Sequence, residues 1–114
     1  MTAFVFNITF DAADPRRLAS FWSAATGYTP LEERDDFVAL QAPDKRGVRR
    51  LLFFAVPEPK VAKNRVHLDL AARDPDAEID RLVKLGATRV EQREGNGTSW
   101  TVMADPEGNE FCIG

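Results

Sequence analysis

One pattern occurs twice in this chain, and it limits the fold more than any other feature. Phe6-Asn7-Ile8-Thr9-Phe10-Asp11-Ala12-Ala13-Asp14-Pro15 is answered by Val66-His67-Leu68-Asp69-Leu70-Ala71-Ala72-Arg73-Asp74-Pro75: Ile8 matches Leu68, Phe10 matches Leu70, and Ala12, Asp14 and Pro15 recur as Ala72, Asp74 and Pro75. Each copy reads as a strand with side chains alternating between two faces, running into a helix. The aspartate is placed to cap the helix N-terminus, and the proline occupies the first helical position, where its missing N–H costs nothing. A chain of 114 residues that carries this unit twice is expected to be a tandem duplication. Neither half would bury enough apolar surface to be comfortable alone, so the halves are expected to form one domain over residues 1–114.

Within the first copy, residues 4–11 form the expected strand, with Phe6, Ile8 and Phe10 on one side and Asn7 and Thr9 on the other. Leu18, Phe21, Trp22 and Ala25 then recur at helical spacing, and Gly27 supplies a left-handed stop. Residues 28–33 are a weak strand broken by Pro30, which suits a sheet edge. Residues 34–36 make a polar turn, residues 37–41 a strand, residues 43–47 a turn and residues 48–56 a strand. The prolines of Pro57-Glu58-Pro59-Lys60 cannot donate to a central ladder, so residues 57–64 are read as a linker between a first module (1–56) and a second (65–114).

The second copy predicts a strand over residues 65–71 with Val66, Leu68 and Leu70 on its core face. A helix follows, capped by Asp74, with acidic Asp76 and Glu78 near its positive end, a stripe of Ile79, Leu82 and Val83, and Gly86 as its stop. Residues 88–93, 99–103 and 110–113 are strands, separated by turns at 94–97 and at Asp105-Pro106-Glu107-Gly108-Asn109. Both halves therefore read βαβββ.

Composition narrows the function. With a formal charge of -3 and one histidine, the chain lacks the basic face that nucleic-acid binding requires. The single cysteine, Cys112, excludes an internal disulfide and a cysteine-rich zinc framework, and fits a cytoplasmic, reducing setting. The first residues lack the basic and apolar regions of a signal peptide, and no run approaches the roughly 20 apolar residues that span a bilayer, so no membrane partner is expected.

If each helix covers one face of its strands, the opposite face carries Asn7 and Thr9 in one half and His67 and Asp69 in the other. Polar groups gathered on an inner sheet face are costly to bury without partners, which makes these four the first candidates for ligand contact. His67 with Asp69 is also the best candidate for acid/base catalysis, against the plainer reading that the pair only satisfies its neighbours. Trp22 is expected in the core, whereas Trp100, between Ser99 and Thr101, is placed either in the core or on a pocket wall. Lys45, Arg46, Arg49, Arg50, Lys60, Lys63 and Arg65 are read as a solvated face, with the alternative that alternation turns either Arg49 or Arg50 inward, where it could receive a carboxylate or phosphate of a ligand.

Asp14-Pro15, Phe21-Trp22 and Gly27-Tyr28, then Lys63-Asn64-Arg65-Val66-His67-Leu68-Asp69, then Trp100 with Asp105-Pro106-Glu107-Gly108-Asn109-Glu110-Phe111, resemble in order and spacing the vicinal oxygen chelate superfamily, and within it the small glyoxalase-like proteins. The resemblance implies an α+β fold of two tandem βαβββ modules whose curved mixed sheets enclose a cavity, often completed by a homodimer. In metal-dependent relatives a divalent ion is held by one residue from the first and last strands of each module. Those positions fall on Asn7 and near Phe53 or Phe54, and on His67 and Cys112. Only His67 is a conventional ligand, so no metal cofactor is expected; a metal site here would draw on His67 and Cys112, with Glu110 or Asp69 as the third ligand. Cys112 reads as a small buried side chain, or as a nucleophile with His67 as its base.

The expected function is therefore the binding of a small organic molecule by Asn7, Thr9, His67, Asp69, Trp100, Glu110 and Cys112. The alternatives are an enzyme of the same superfamily, either a lyase, isomerase or dioxygenase with an atypical metal site or a metal-free acid/base catalyst using His67, and an interaction domain whose cavity is incidental.

Overall fold

A computed structural model describes residues 2–44 and 47–114. The chain divides into two compact units, Met1–Pro59 and Lys60–Gly114. The boundary lies between Pro59 and Lys60. No helix is long and apolar enough to cross a membrane among the described residues.

The first unit runs β1 (Asn7–Ala12), α1 (Pro15–Thr26), β2 (Thr29–Arg34), β3 (Phe37–Gln41) and β4 (Arg50–Ala55). Its sheet has the order β1-β4-β3-β2, with β1 and β4 parallel and the other pairs antiparallel. The Asp14 carboxylate accepts from Arg17 N–H, and Gly27 closes α1 in the left-handed region, where a side chain would be strained. Leu18, Phe21 and Trp22 are buried; Phe10 stacks on Phe53 with ring centroids 4.9 Å apart and meets Trp22 at 5.4 Å. These rings make the helix-side core, as the helical spacing predicts.

The second unit repeats the order: β5 (Leu68–Leu70), α2 (Pro75–Leu85), β6 (Thr88–Gly95), β7 (Thr98–Ala104) and β8 (Glu110–Ile113), with sheet order β5-β8-β7-β6 and β5 parallel to β8. Asp74 caps α2 by accepting from Ala77 N–H, and the Gly86 N–H bonds back to Leu82 and Val83. Phe111, Ile113 and Met103 are fully buried, with Ile79 and Leu82 of α2. The chain is thus an α+β protein of two tandem βαβββ modules, each built on a mixed four-stranded sheet.

Three sequence expectations are corrected. β5 is three residues long, not seven, because its partner β8 has only four residues and pairs with Leu68, Asp69 and Leu70 alone. Phe6 and Val66, expected on core faces, precede their strands and are exposed, as is Val83 on α2. The 94–97 turn is tighter than expected: β6 reaches Gly95, and Asn96 and Gly97, both at positive φ, form the two-residue hairpin loop. Lys45 and Arg46 lie outside the described residues; Arg49 and Arg50 are both exposed, and Arg50 sits over the Phe6 ring at 5.7 Å.

Candidate functional site

The pairing of the second sheet determines which side chains meet. In β5 and β8 the pairs Leu68–Phe111 and Leu70–Ile113 alternate with Asp69–Cys112, and Cys112 is in turn paired with Val102 on β7. Side chains of paired residues share a face. Asp69, Cys112 and Val102 therefore form one row, opposite in sense to Phe111. The diagonal row adds Trp100, paired with Arg93 on β6. His67, one residue before β5, is two positions from Asp69 and so continues its side of the strand.

This face bounds a pocket of about 550 Å³ lined by residues of the second unit, among them Lys63, His67, Asp69, Arg93, Trp100 and Cys112. The size lies within the range of small-molecule sites, about 300–1,000 Å³. Trp100 is held by its neighbours: a side-chain carbon on Gly95 would stand 3.3 Å from Trp100 Cη2, and one on Gly114 3.4 Å from Trp100 Cβ. The absence of side chains at those two positions lets the indole lie close to the sheet. Trp22, by contrast, is core, as expected.

Polar side chains line the pocket in pairs. His67 Nδ1 lies 3.2 Å from Asp69 Oδ1, with side-chain exposures of 45% and 76%. Lys63 Nζ donates to Glu110 Oε1 at 2.6 Å, and this bond, with the charges of Lys63, Lys60 and Arg93, holds the Glu110 carboxyl below its ordinary value against the opposing effect of burial. The segment ahead of His67 is pinned at the same place, where Glu110 N–H donates to Asn64 Oδ1 at 2.9 Å. Arg93 is engaged by Glu91. The Cys112 thiol is buried, and burial first, then the neighbouring Asp69 charge, push its pKa up. That environment favours the thiol over the nucleophilic thiolate.

β8 owes its position to the turn before it. Asp105, only 3% exposed, accepts from Glu107 N–H and Asn109 N–H at 2.9 Å through Oδ1 and from Asn109 Nδ2 at 3.0 Å through Oδ2. Gly108, at φ 88°, turns the chain back. Asn64 and Asp105 were missed as site-shaping residues. The Asp-Pro-x-Gly-Asn turn signal was available for Asp105; no local signal marks Asn64.

Of the sequence candidates, His67, Asp69, Trp100, Glu110 and Cys112 line one pocket. Asn7 and Thr9 lie on β1 of the first unit, where Asn7 Oδ1 is buried with no hydrogen-bond partner among the described residues. The four-ligand metal site implied by the family resemblance does not fit: Phe53 is a fully buried hydrocarbon stacked on Phe10, and Asn7 offers only a neutral amide. In the second unit the donor atoms that come together are those of His67, Asp69 and Cys112, all within 4.8 Å of one another. Glu110 is instead bonded to Lys63.

Tandem βαβββ modules with a pocket against the exposed face of a mixed sheet define the vicinal oxygen chelate architecture. The chain belongs to the glyoxalase-like domain family, whose model matches residues 7–114. Similar solved structures include a glyoxalase/bleomycin resistance protein/dioxygenase family enzyme from Burkholderia phytofirmans PsJN (18% identity, 97% of each chain covered, TM-score 0.78). The fosfomycin resistance protein FosX from Mesorhizobium loti is also similar (16% identity, 99% of this chain and 91% of that one, TM-score 0.75). So is the bleomycin-binding protein from bleomycin-producing Streptomyces verticillus, solved with copper(II)-bleomycin (21% identity, 99% and 97% covered, TM-score 0.64). At these identities the likeness is one of fold. No curated protein sequence matches the chain.

Proposed function

We propose that the chain binds a small organic molecule in the second-unit pocket, without the metal site usual in the superfamily. The observation that supports this most directly is the lining itself: an aromatic wall at Trp100, an apolar floor at Cys112 and Val102, and polar groups of both signs at the rim. Few, convergent polar groups around an apolar cavity are what orient a ligand. Within the first unit, Asn7 Oδ1, buried with no hydrogen-bond partner among the described residues, makes Asn7, with Thr9 on the same strand, the candidate pair for ligand contact. The similarity to a bleomycin-binding protein agrees with a binding role.

The test is an amide chemical-shift titration against flat aromatic and carboxylate-bearing fragments. Shifts clustering at Asp69, Trp100 and Cys112, and lost in Trp100→Ala, are expected. Binding that clusters elsewhere, or survives Trp100→Ala unchanged, would sink the idea.

A second reading, an enzyme of the superfamily, is favoured by the His67–Asp69 contact. A carboxylate at Nδ1 fixes the imidazole and leaves Nε2 as the nitrogen for proton transfer, so His67 would be the acid/base and Asp69 its orienting partner. Substrate turnover abolished by His67→Ala but only reduced by Asp69→Asn would establish it. A homodimer is proposed on the family resemblance and on exposed Phe4, Val5 and Phe6 beside β1. A monomer by light scattering at micromolar concentration would count against it. The single, buried cysteine is the ground for proposing a cytoplasmic location.

A further inference from the structure

The ionic pairs around the second-unit pocket leave one charge over, and that charge selects a class of ligand. We propose that the pocket takes organic cations: a protonated amine seated between the Asp69 carboxylate and the Trp100 ring, with the apolar body of the ligand over Cys112 and Val102. This rests on the reading of the pocket as a small-molecule site and adds the charge of what fills it.

The first argument is which charges are already engaged. Both fixed cations of the lining hold a carboxylate: Lys63 Nζ donates to Glu110 at 2.6 Å, and Arg93 is engaged by Glu91. A carboxylate or phosphate ligand would have to compete with one of those pairs. Asp69 differs. Among the described residues no lysine or arginine pairs with it; its contact is His67 Nδ1 at 3.2 Å, and an imidazole is charged only when protonated. An ammonium group reaches Asp69 without breaking a lysine or arginine pair, and a hydrogen bond between two ionised groups is of the stronger kind.

Spacing is the second. Asp69 lies on β5 and Trp100 on β7, with β8 between them, so two strand spacings, about 9–10 Å across the sheet, separate the acid from the aromatic wall. A charge-assisted N–H···O bond is about 2.8 Å long, and a cation is attracted to an indole within about 6 Å of the ring centroid. Together these span the gap. β8 puts little into it: after Glu110 its residues lining the pocket on this face are Cys112 and Gly114, and a side-chain carbon on Gly114 would stand 3.4 Å from Trp100 Cβ.

The field on the pocket floor agrees. At the Cys112 thiol the charge of Asp69 is felt most among its neighbours, followed by Arg93, Glu110 and Lys63 in alternating sign. Each carboxylate outweighs the cation that follows it, so the floor is negative and favours a cation.

The experiment is an amide and indole N–H chemical-shift titration of the full chain with three probes of one shape: phenethylamine as its ammonium ion, the neutral 2-phenylethanol and the anionic 3-phenylpropionate. All three should shift the Trp100 indole N–H, with the ammonium ion bound about 5–10-fold more tightly than the alcohol and the carboxylate most weakly, the scale expected of one exposed ion pair plus one cation–π contact. In Asp69→Asn, an exposed position whose variant is checked for an unchanged fold by its amide spectrum, the ammonium ion should bind no better than the alcohol. A carboxylate bound as tightly as the ammonium ion, or an ammonium preference that survives Asp69→Asn, would overturn the cation proposal while leaving the small-molecule reading in place. No shift at Trp100 with any of the three would overturn both.

Discussion

Replacing Asp105 by alanine should be among the most damaging single changes available in the second unit. Its carboxylate accepts three hydrogen bonds, two from the backbone N–H groups of Glu107 and Asn109 and one from the Asn109 amide, and the residue is 3% exposed. Hydrogen bonds to a charged acceptor are worth about 1.5–3 kcal/mol each, and donors left without a partner in a buried turn add their desolvation cost. These contributions overlap, so we expect a loss of about 3–5 kcal/mol, a large share of the about 5–15 kcal/mol of a typical domain. Asp105→Asn keeps an oxygen for the two N–H groups but turns an NH2 towards Asn109 Nδ2, and should lose about 1–2 kcal/mol. Urea denaturation followed by far-ultraviolet circular dichroism reads both. With a slope of about 1–2 kcal/mol/M for a chain of this size, the alanine variant's midpoint should fall by about 2–3 M at unchanged slope. A loss under about 1 kcal/mol for alanine, or an asparagine variant as unstable as the alanine one, would refute the argument that this carboxylate organises the turn before β8.

Cys112 should react slowly with a thiol reagent in the native protein and fast in urea; because its folded pKa is raised, native stability should also decline as pH rises above its ordinary value of 9.0, where the unfolded thiol ionises first. The Glu110 pKa is depressed by Lys63, so the pair stabilises the fold above the ordinary carboxylate value of 4.5 and that contribution is lost as pH falls through the folded pKa. Lys63→Met should flatten stability against pH in that acid window, measured by denaturant melts at stepped pH; an unchanged profile would contradict the assignment. Gly95→Val should push the Trp100 ring from the sheet, raising iodide quenching of its fluorescence while buried Trp22 stays silent; unchanged quenching would show that Gly95 does not seat the ring.

How far the sequence could be read depended on whether a feature is written locally. Both helices were legible because each carries its own start and stop, Asp14-Pro15 with Gly27 and Asp74-Pro75 with Gly86. β3 and β8 matched their expected bounds, since turn residues enclose them. The start of β5 was not legible. Residues 65–67 alternate well enough for a strand, but strand character needs a partner, and β8 begins only where the Asp105 turn ends. Alternation put His67 and Asp69 on one side of their strand and left Trp100 between core and pocket wall; in the structure all three line the second-unit pocket. It could not reveal that Lys63 takes Glu110 away from them, because that contact crosses 47 residues of sequence.

The outer strand pair of each sheet contains the same irregularity. Between β2 and β3 the register shifts at Pro30/Glu32, leaving Leu31 as an extra residue; between β6 and β7 it shifts at Arg89/Glu91, leaving Val90. Bulges persist within protein families while the residues around them change. Beyond the helices the two halves share almost no identities at a fixed offset, yet both keep this defect on the corresponding edge. A copied unit that included its outer strands would carry the bulge into both halves, and the shared defect is what such a duplication predicts.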